Sequence, residues 1–206
     1  MPHNLSSSLL DLFRKRHACH QFREEAPIDR QTLDTILEAG RLSPSSFGLE
    51  HWKFVVLTRP EDKAAMQAAC FQQPQVGSAA ALVVILAKLA ELEPDHPYAR
   101  KLLEREYPGD AFAGALANYR SFFAATDLKA WSVTQCHIAA ANMMTAATGL
   151  GLDSCAIGGF LADQVQTLLD LDAGRYEVAL VLALGHCAHD PAPKQRLPLA
   201  ELVDYR

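Results

Sequence analysis

The segment HIAAANMMTAAT at 137–148 lies in a run, 131–150, whose composition predicts a helix and whose side chains are mostly small or apolar on every side. A helix at the surface of a folded domain keeps a wide polar face. One without such a face must be covered all round, at the centre of a domain or in a contact between subunits. Gly149, with a second glycine at 151, ends the pattern. The chain must therefore wrap other elements around this helix or press it against a second copy.

Those other elements can be read from periodicity. Leu82–Leu86 is a continuous apolar, β-branched run and predicts a central strand buried on both faces. Lys53–Thr58, Leu152–Ile157 and Tyr176–Leu184 read as further strands. Asp29 is placed to cap a helix running to Gly40, with Leu33, Ile36 and Leu37 on one face. Ser8 reads as the cap of a short helix ending at Arg16, Pro60-Glu61-Asp62 opens another, and Ala115–Ala125 and Asp163–Asp170 are also helical. Glu91–Gly114, interrupted by Pro94, Pro97 and Pro108, is the least core-like part. Strands and helices in irregular alternation predict an α+β fold, a sheet covered by helices. The expectation is a single domain over 1–206 with a helical excursion around 91–118.

Composition narrows the function. A net charge of −5 and a pI near 5.9 give no basic surface for nucleic acid. No apolar run approaches the ~18 residues of a membrane helix, and the N-terminus shows no secretion signal. Five cysteines, odd in number, widely spaced and without CxxC, suggest reduced thiols in a cytoplasmic compartment.

Several chemistries lack their motifs. There is no GxGxxG after a strand, no GxxxxGK[ST], no HExxH and no GxSxG. His186-Cys187-Ala188-His189 follows a strand end, and no metal is expected there. What remains is basic and amide groups. Arg14, Lys15, Arg16, His17 and His20 cluster near the start; Lys194 and Arg196 form K-x-R near the end. They are either a solvated helix end and tail, or two ends that meet to clamp a phosphate. Gln72, Gln75 and Gln135 could pair with a polar heterocycle, and Gly158-Gly159 could let backbone approach a planar ligand or simply turn the chain. The loop RLSPSSFGLEHWKF at 41–54 carries more small hydroxyls, glycine and aromatics than a turn of two to five residues needs.

Taken together, Arg16–Phe22, SPSSFGLEHWKF at 43–54, FQQPQVGSAAALVVIL at 71–86, the stretch 131–160 and PKQRLP at 193–198 resemble, in order and spacing, the nitroreductase family of FMN-dependent oxidoreductases. The resemblance implies a nitroreductase-like α+β fold with a central, mostly antiparallel sheet. It also implies an intertwined homodimer with two FMN sites shared between subunits. Arg16 and His17 would lie along the FMN phosphate and ribityl chain, with Lys194 and Arg196 on the phosphate. Ala18 and His20 would run beside the flavin, and Ser45, Ser46 and Gly48 would come from the partner. Gln72, Gln75 and Gln135 would address the pyrimidine end or ribityl hydroxyls. Ile157, Gly158 and Gly159 would put a backbone N–H at flavin N5, and Phe47, Tyr119 and Phe123 would frame the substrate mouth. NADH or NADPH would donate a hydride to N5 for transfer to a quinone or nitroaromatic, with no catalytic side chain and no metal. Three positions depart from the family pattern: His20 stands for a common lysine, Gly158 for a common glutamate, and Ala18 for a hydroxyl found in some members. The alternatives are another acceptor such as an enone, a flavin-binding protein with little turnover, or a dimerisation module.

Overall fold

The computed structural model describes residues 5–206. Four strands form one sheet in the order β1-β2-β4-β3, every neighbour antiparallel: β1 (Trp52–Leu57), β2 (Ala81–Lys88), β3 (Asp153–Ile157) and β4 (Tyr176–Gly185). β2 is central and buried along nearly its whole length, as its unbroken apolar run requires. Its pleat sorts side chains by parity. Leu82, Val84 and Leu86 enter one core; Ala81, Val83, Ile85 and Ala87 enter the other. A register shift between Ile85 and Leu86 leaves Ala179 of β4 without a partner on β2.

The first face of the sheet is covered by α3 (Pro60–Ala69), the short α4 (Pro74–Ser78) and α8 (Ala162–Leu168). The second is covered by α2 (Arg30–Arg41) and α7 (Leu128–Gly149). Asp29 caps α2 as expected: its carboxylate accepts the Thr32 amide at 2.9 Å and the Thr32 hydroxyl at 2.6 Å. α7 is the helix anticipated from its composition, opened by Asp127. It buries Cys136, Ala139, Ala140, Met143 and Ala147 in the second core. The opposite stripe, with Ile138 39% exposed, stays uncovered within one chain. α1 spans Leu5–Lys15, so Ser8 lies inside the helix and does not cap it.

The region expected to be least core-like has a small core of its own. α5 (Pro97–Glu106) and α6 (Ala111–Ala124) bury Leu92, Leu102, Leu103, Leu116 and Tyr119 together with Leu49. The prolines that mark this segment do not prevent helix formation: Pro97 stands at the start of α5, with the His96 ring accepting the Tyr98 amide at 3.1 Å.

Two chain ends meet beside β3. Ala18 pairs in parallel with Ser154, and Phe22 pairs antiparallel with Cys187. Amide bonds from Arg23 to His186 and from Ala188 to Gln21, both 2.8 Å, close this seam. Gly185 makes it possible, since a Cβ there would lie 2.7 Å from the Phe22 ring. The seam also corrects the expectation of five reduced thiols: Cys19 and Cys187 form a disulfide across a sequence separation of 168, with Cα atoms 5.7 Å apart. No local spacing could signal the pair, because strand-like pairing of distant segments brings it together. Cys70, Cys136 and Cys155 are free and buried, and burial pushes the Cys70 thiol up to about 11 and the Cys136 thiol up to about 12. Among the described residues no helix is long and apolar enough to cross a membrane, and no group of three or more metal-ligating side chains could hold an ion.

Candidate functional site

The seam converts two weak sequence clusters into one groove. Arg16, His17 and Ala18 line a cavity of about 570 Å³ together with Lys194 and Arg196. Lys194 Nζ donates to the carbonyls of Phe13 and Arg16, which docks the tail on the end of α1. Desolvation, with repulsion from Arg16 and Arg196, holds the Lys194 amine below its ordinary value. Among the described residues, no carboxylate lies within ion-pairing distance of Arg16, Lys194 or Arg196. Three uncompensated cations converging on a cavity are arranged for an anion. Beside them the buried Nε2 of His17, a residue that lines the cavity, has no partner among the described residues. His17 Nδ1 lies 3.2 Å from the Lys15 carbonyl and 3.7 Å from Asp153, which leaves Nε2 as the free edge of the ring. A buried polar atom without a partner is costly, and with Nδ1 donating to the Lys15 carbonyl the natural complement of Nε2 is a ligand hydroxyl that donates to it.

Gly158 and Gly159 follow β3 directly and are exposed, while Ile157 is buried behind them. The amide that ties this turn down is that of Gln73, between the two glutamines expected at the site. Gln73 Nε2 donates to the Gly159 carbonyl at 2.8 Å and to the Cys70 carbonyl at 2.9 Å, and its oxygen accepts from Gln75 at 2.9 Å. Gln72 is placed by its backbone, with φ at 58° following Phe71 at 56°. Two consecutive non-glycine residues in the left-handed region mark a strained turn. Phe71 is 60% exposed on that turn, within 3.9 Å of where a Gly159 Cβ would stand. An aromatic directly after a helix end and before two glutamines was the signal for it. His20 lines a second groove of about 380 Å³ that it shares with His17, Ala18 and Cys187.

A separate wall is built on the loop that leaves α2. Ser46–Gly48 makes one tight turn, with Phe47 at φ 56°, Gly48 at 65° and Glu50 at 44°. Gly48 is required twice over, because a Cβ would also meet Glu106 Cγ at 2.5 Å. The strain is held by many bonds. Ser45 Oγ accepts the Glu50 amide at 2.9 Å, and Gln135 Oε1 accepts the Ser46 amide at 3.0 Å. Arg105 reaches from α5 to the Gly48 carbonyl at 3.1 Å and the Glu50 carboxylate at 2.8 Å. Within one chain Gln135 is bonded to this loop. Phe47 packs against Phe122, ring centroids 5.2 Å apart, and against Tyr119 at 5.1 Å. Of the aromatics expected at a mouth, Tyr119 is fully buried and its hydroxyl donates to the Leu92 carbonyl, so within one chain it serves the excursion core. Phe123 is partly exposed, and Phe122, which was not among the residues expected at the mouth, faces Phe47 more directly. Underneath, burial holds His51 neutral, its pKa lowered to about 4, with the ring edge-on to Trp131 at 4.4 Å. Among the described residues no hydrogen bond joins the two walls.

A family model described as the nitroreductase family matches residues 13–186. The chain belongs to the nitroreductase family. YfkO of Bacillus subtilis (strain 168), provisionally named an NAD(P)H nitroreductase, is 33% identical over 219 residues, covering 98% of this chain and 99% of that protein. Among solved structures, a nitroreductase in complex with FMN from Exiguobacterium sibiricum superposes with a TM-score of 0.81 at 21% identity, covering 96% of this chain and 97% of that one. The gut-bacterial enone reductase CLA-ER does so with a TM-score of 0.76 at 27% identity, covering 96% and 97%. This nitroreductase-family chain is accordingly an oxidoreductase with the α+β architecture anticipated from its sequence.

Proposed function

We propose that the chain is an FMN-dependent oxidoreductase that takes reducing equivalents from NADH or NADPH and passes them to a quinone or nitroaromatic acceptor. The observation that carries the reading is the convergence of Arg16, Lys194 and Arg196, without a carboxylate, beside the unpartnered Nε2 of His17. That donor set fits a phosphate with a hydroxylated chain behind it. When bound, FMN supplies the hydride chemistry at N5 that no side chain here can perform.

The chain's own residues then bind, orient and shield. Arg16, Lys194 and Arg196 hold the phosphate, and His17 Nε2, left as the acceptor by the Nδ1–H bond to the Lys15 carbonyl, takes a hydrogen bond from a ribityl hydroxyl. Ala18 and His20 run beside the ring system, Gln72 and Gln75 face its polar edge, and Gln73 fixes the turn that presents the Gly158 and Gly159 amides. Ile157 backs that turn with apolar surface. Ser45, Ser46 and Gly48 form the opposing wall, with Phe47 and Phe123 at the mouth and Gln135 keeping the loop in shape.

The reading includes a cytoplasmic homodimer in which each wall faces the complementary wall of the partner. Support comes from apolar surface that a single chain leaves open: Ile138 on α7, Leu9, Leu10 and Phe13 on α1, and a tail with Leu199 70% and Tyr205 89% exposed. It also includes one domain over 1–206 carrying the excursion.

The test is an absorption spectrum of the purified protein before and after anaerobic NADH or NADPH, followed by an acceptor panel. A flavin spectrum that bleaches and is restored by a quinone or nitroaromatic supports the reading. A spectrum that persists favours a flavin-binding protein. Enone reduction is the second reading, favoured by the likeness to CLA-ER, and the same panel separates it.

A further inference from the structure

Two cysteines that the proposed reaction does not use lie at the seam of the anion groove. Cys19 follows Ala18 directly and is fully buried. Cys187 is half-buried and lines the open groove shared with His17, Ala18 and His20, so a small thiol can approach it from that side. The chain continues from Cys187 to Lys194 and Arg196, so the disulfide joins the two segments that carry the cations. The surroundings suit both redox forms. The Gln21 carbonyl oxygen is 3.1 Å from Cys19 Sγ and 3.6 Å from Cys187 Sγ, placed to accept S–H from either thiol once the bond is open. The other three cysteines are buried, with burial raising each thiol, and are poor partners for exchange. In a reducing compartment a disulfide is usually transient and responsive, not structural.

We propose that Cys19 and Cys187 are a reversible redox site that sets how firmly the chain holds a phosphate-bearing cofactor. The inference rests on the FMN reading. In the oxidised form a covalent link ties the Arg16–His20 segment to the tail that carries Lys194 and Arg196. In the reduced form backbone pairing, the Lys194 bonds and the Arg23 Nε bond to the Cys187 carbonyl at 3.0 Å still join them without a covalent link. A cross-link between distant segments restricts their alternatives, so less freedom is lost when the anion binds. Opening needs a dithiol. Its thiolate attacks Cys187 Sγ, the protein S–S bond breaks, and Cys19 departs as thiolate and takes a proton. The second thiol of the reductant then attacks the mixed disulfide and releases Cys187, which is protonated. The protein gains two electrons and two protons, and the dithiol becomes a disulfide.

The experiment compares the full chain after equilibration with oxidised glutathione and after dithiothreitol. Cysteines are counted by alkylation in denaturant with mass spectrometry, and FMN and riboflavin affinities are measured by fluorescence titration. Three alkylated cysteines should appear after oxidation and five after reduction. FMN should bind roughly fivefold more tightly to the oxidised protein, riboflavin nearly equally to both. Cys187→Ser should bind FMN like the reduced protein and ignore the redox treatment; should it fail to fold, the wild-type comparison decides alone. Five alkylated cysteines under both conditions, or equal FMN affinities with three and five, would overturn the inference while leaving the cofactor reading intact. No FMN binding in either state would overturn both.

Discussion

Lys88 Nζ donates to the backbone carbonyl of Glu50 across 2.9 Å, joining the end of the central strand to the strained loop of the second wall. The Tyr98 hydroxyl donates to the same carbonyl, also at 2.9 Å, and the amine stacks 4.1 Å from the Tyr98 ring centre. Burial pushes the Lys88 amine down to about 8, a shift that Glu50 and Glu91 partly oppose. The loop is therefore fastened by a group whose charge is expensive where it sits.

That cost has a pH signature. Between about 8 and the unfolded value of 10.5, the unfolded chain keeps the Lys88 proton and the folded chain does not. Stability through this group rises with pH across that window, by at most about 3 kcal/mol. Lys88→Met should lack the rise. Urea unfolding of both proteins at pH 7.5 and 10 measures it; a stability difference that does not change with pH would contradict the desolvation of Lys88.

His51 acts at the other end of the scale. Its folded value of about 4 lies below the unfolded 6.5, so the neutral ring stabilises the fold above 6.5, and that contribution is lost as pH falls toward 4. The loss should reach about 3 kcal/mol at most. His51→Phe should show a shallower decline between pH 7 and 4.5 in urea midpoints.

Gly48 combines a left-handed backbone with a Cβ position already filled by Glu106. Gly48→Ala should cost about 1–2 kcal/mol. FMN affinity should fall along with it, since the loop lines the proposed site. Thermal unfolding and flavin titration report the two effects separately.

The cation cluster predicts discrimination between flavins. Lys194→Met and Arg196→Met should each weaken FMN binding by about 1.5–3 kcal/mol, the usual worth of a hydrogen bond to a charged group. Riboflavin, which lacks the phosphate, should be unaffected. Equal losses for both flavins would place these residues elsewhere than at the phosphate.

Gly158 stands in open space: a Cβ added there would meet nothing within 4 Å, and its backbone is not left-handed. Gly158→Glu should leave stability within about 0.5 kcal/mol and retain FMN. The ratio of quinone to enone or nitroaromatic turnover should change, because the new carboxylate enters the turn proposed to face the flavin. Steady-state rates with the acceptor panel measure it.

The elements were legible where one local cause dominates. The Asp29 cap, the apolar run of β2 and the Ala-rich α7 each announce themselves within a few residues, because hydrogen-bonding geometry and side-chain periodicity act over a turn or a strand. The Arg16–His20 and K-x-R clusters were legible as candidates, although charge alone also fits a solvated helix end and tail. Assignments that depend on which of several adjacent residues points inward were harder. Gln73 rather than its neighbours grips the Gly159 turn, Phe122 faces Phe47, and Tyr119 turns into the excursion core.

By itself the sequence determined the kinds of element, their order, the two-faced sheet and the residue types able to meet a phosphate. These follow from interactions between near neighbours and from the partition of apolar surface. Only the tertiary structure decided that residues 16 and 194 share one groove, that Cys19 meets Cys187, and that Gln135 serves the loop of Ser46. Each of those contacts joins residues about 90 or more positions apart, as in the Ser46–Gln135 bond and the Cys19–Cys187 link. Such pairs are selected by the packing of the whole sheet and its helices, which no local pattern encodes.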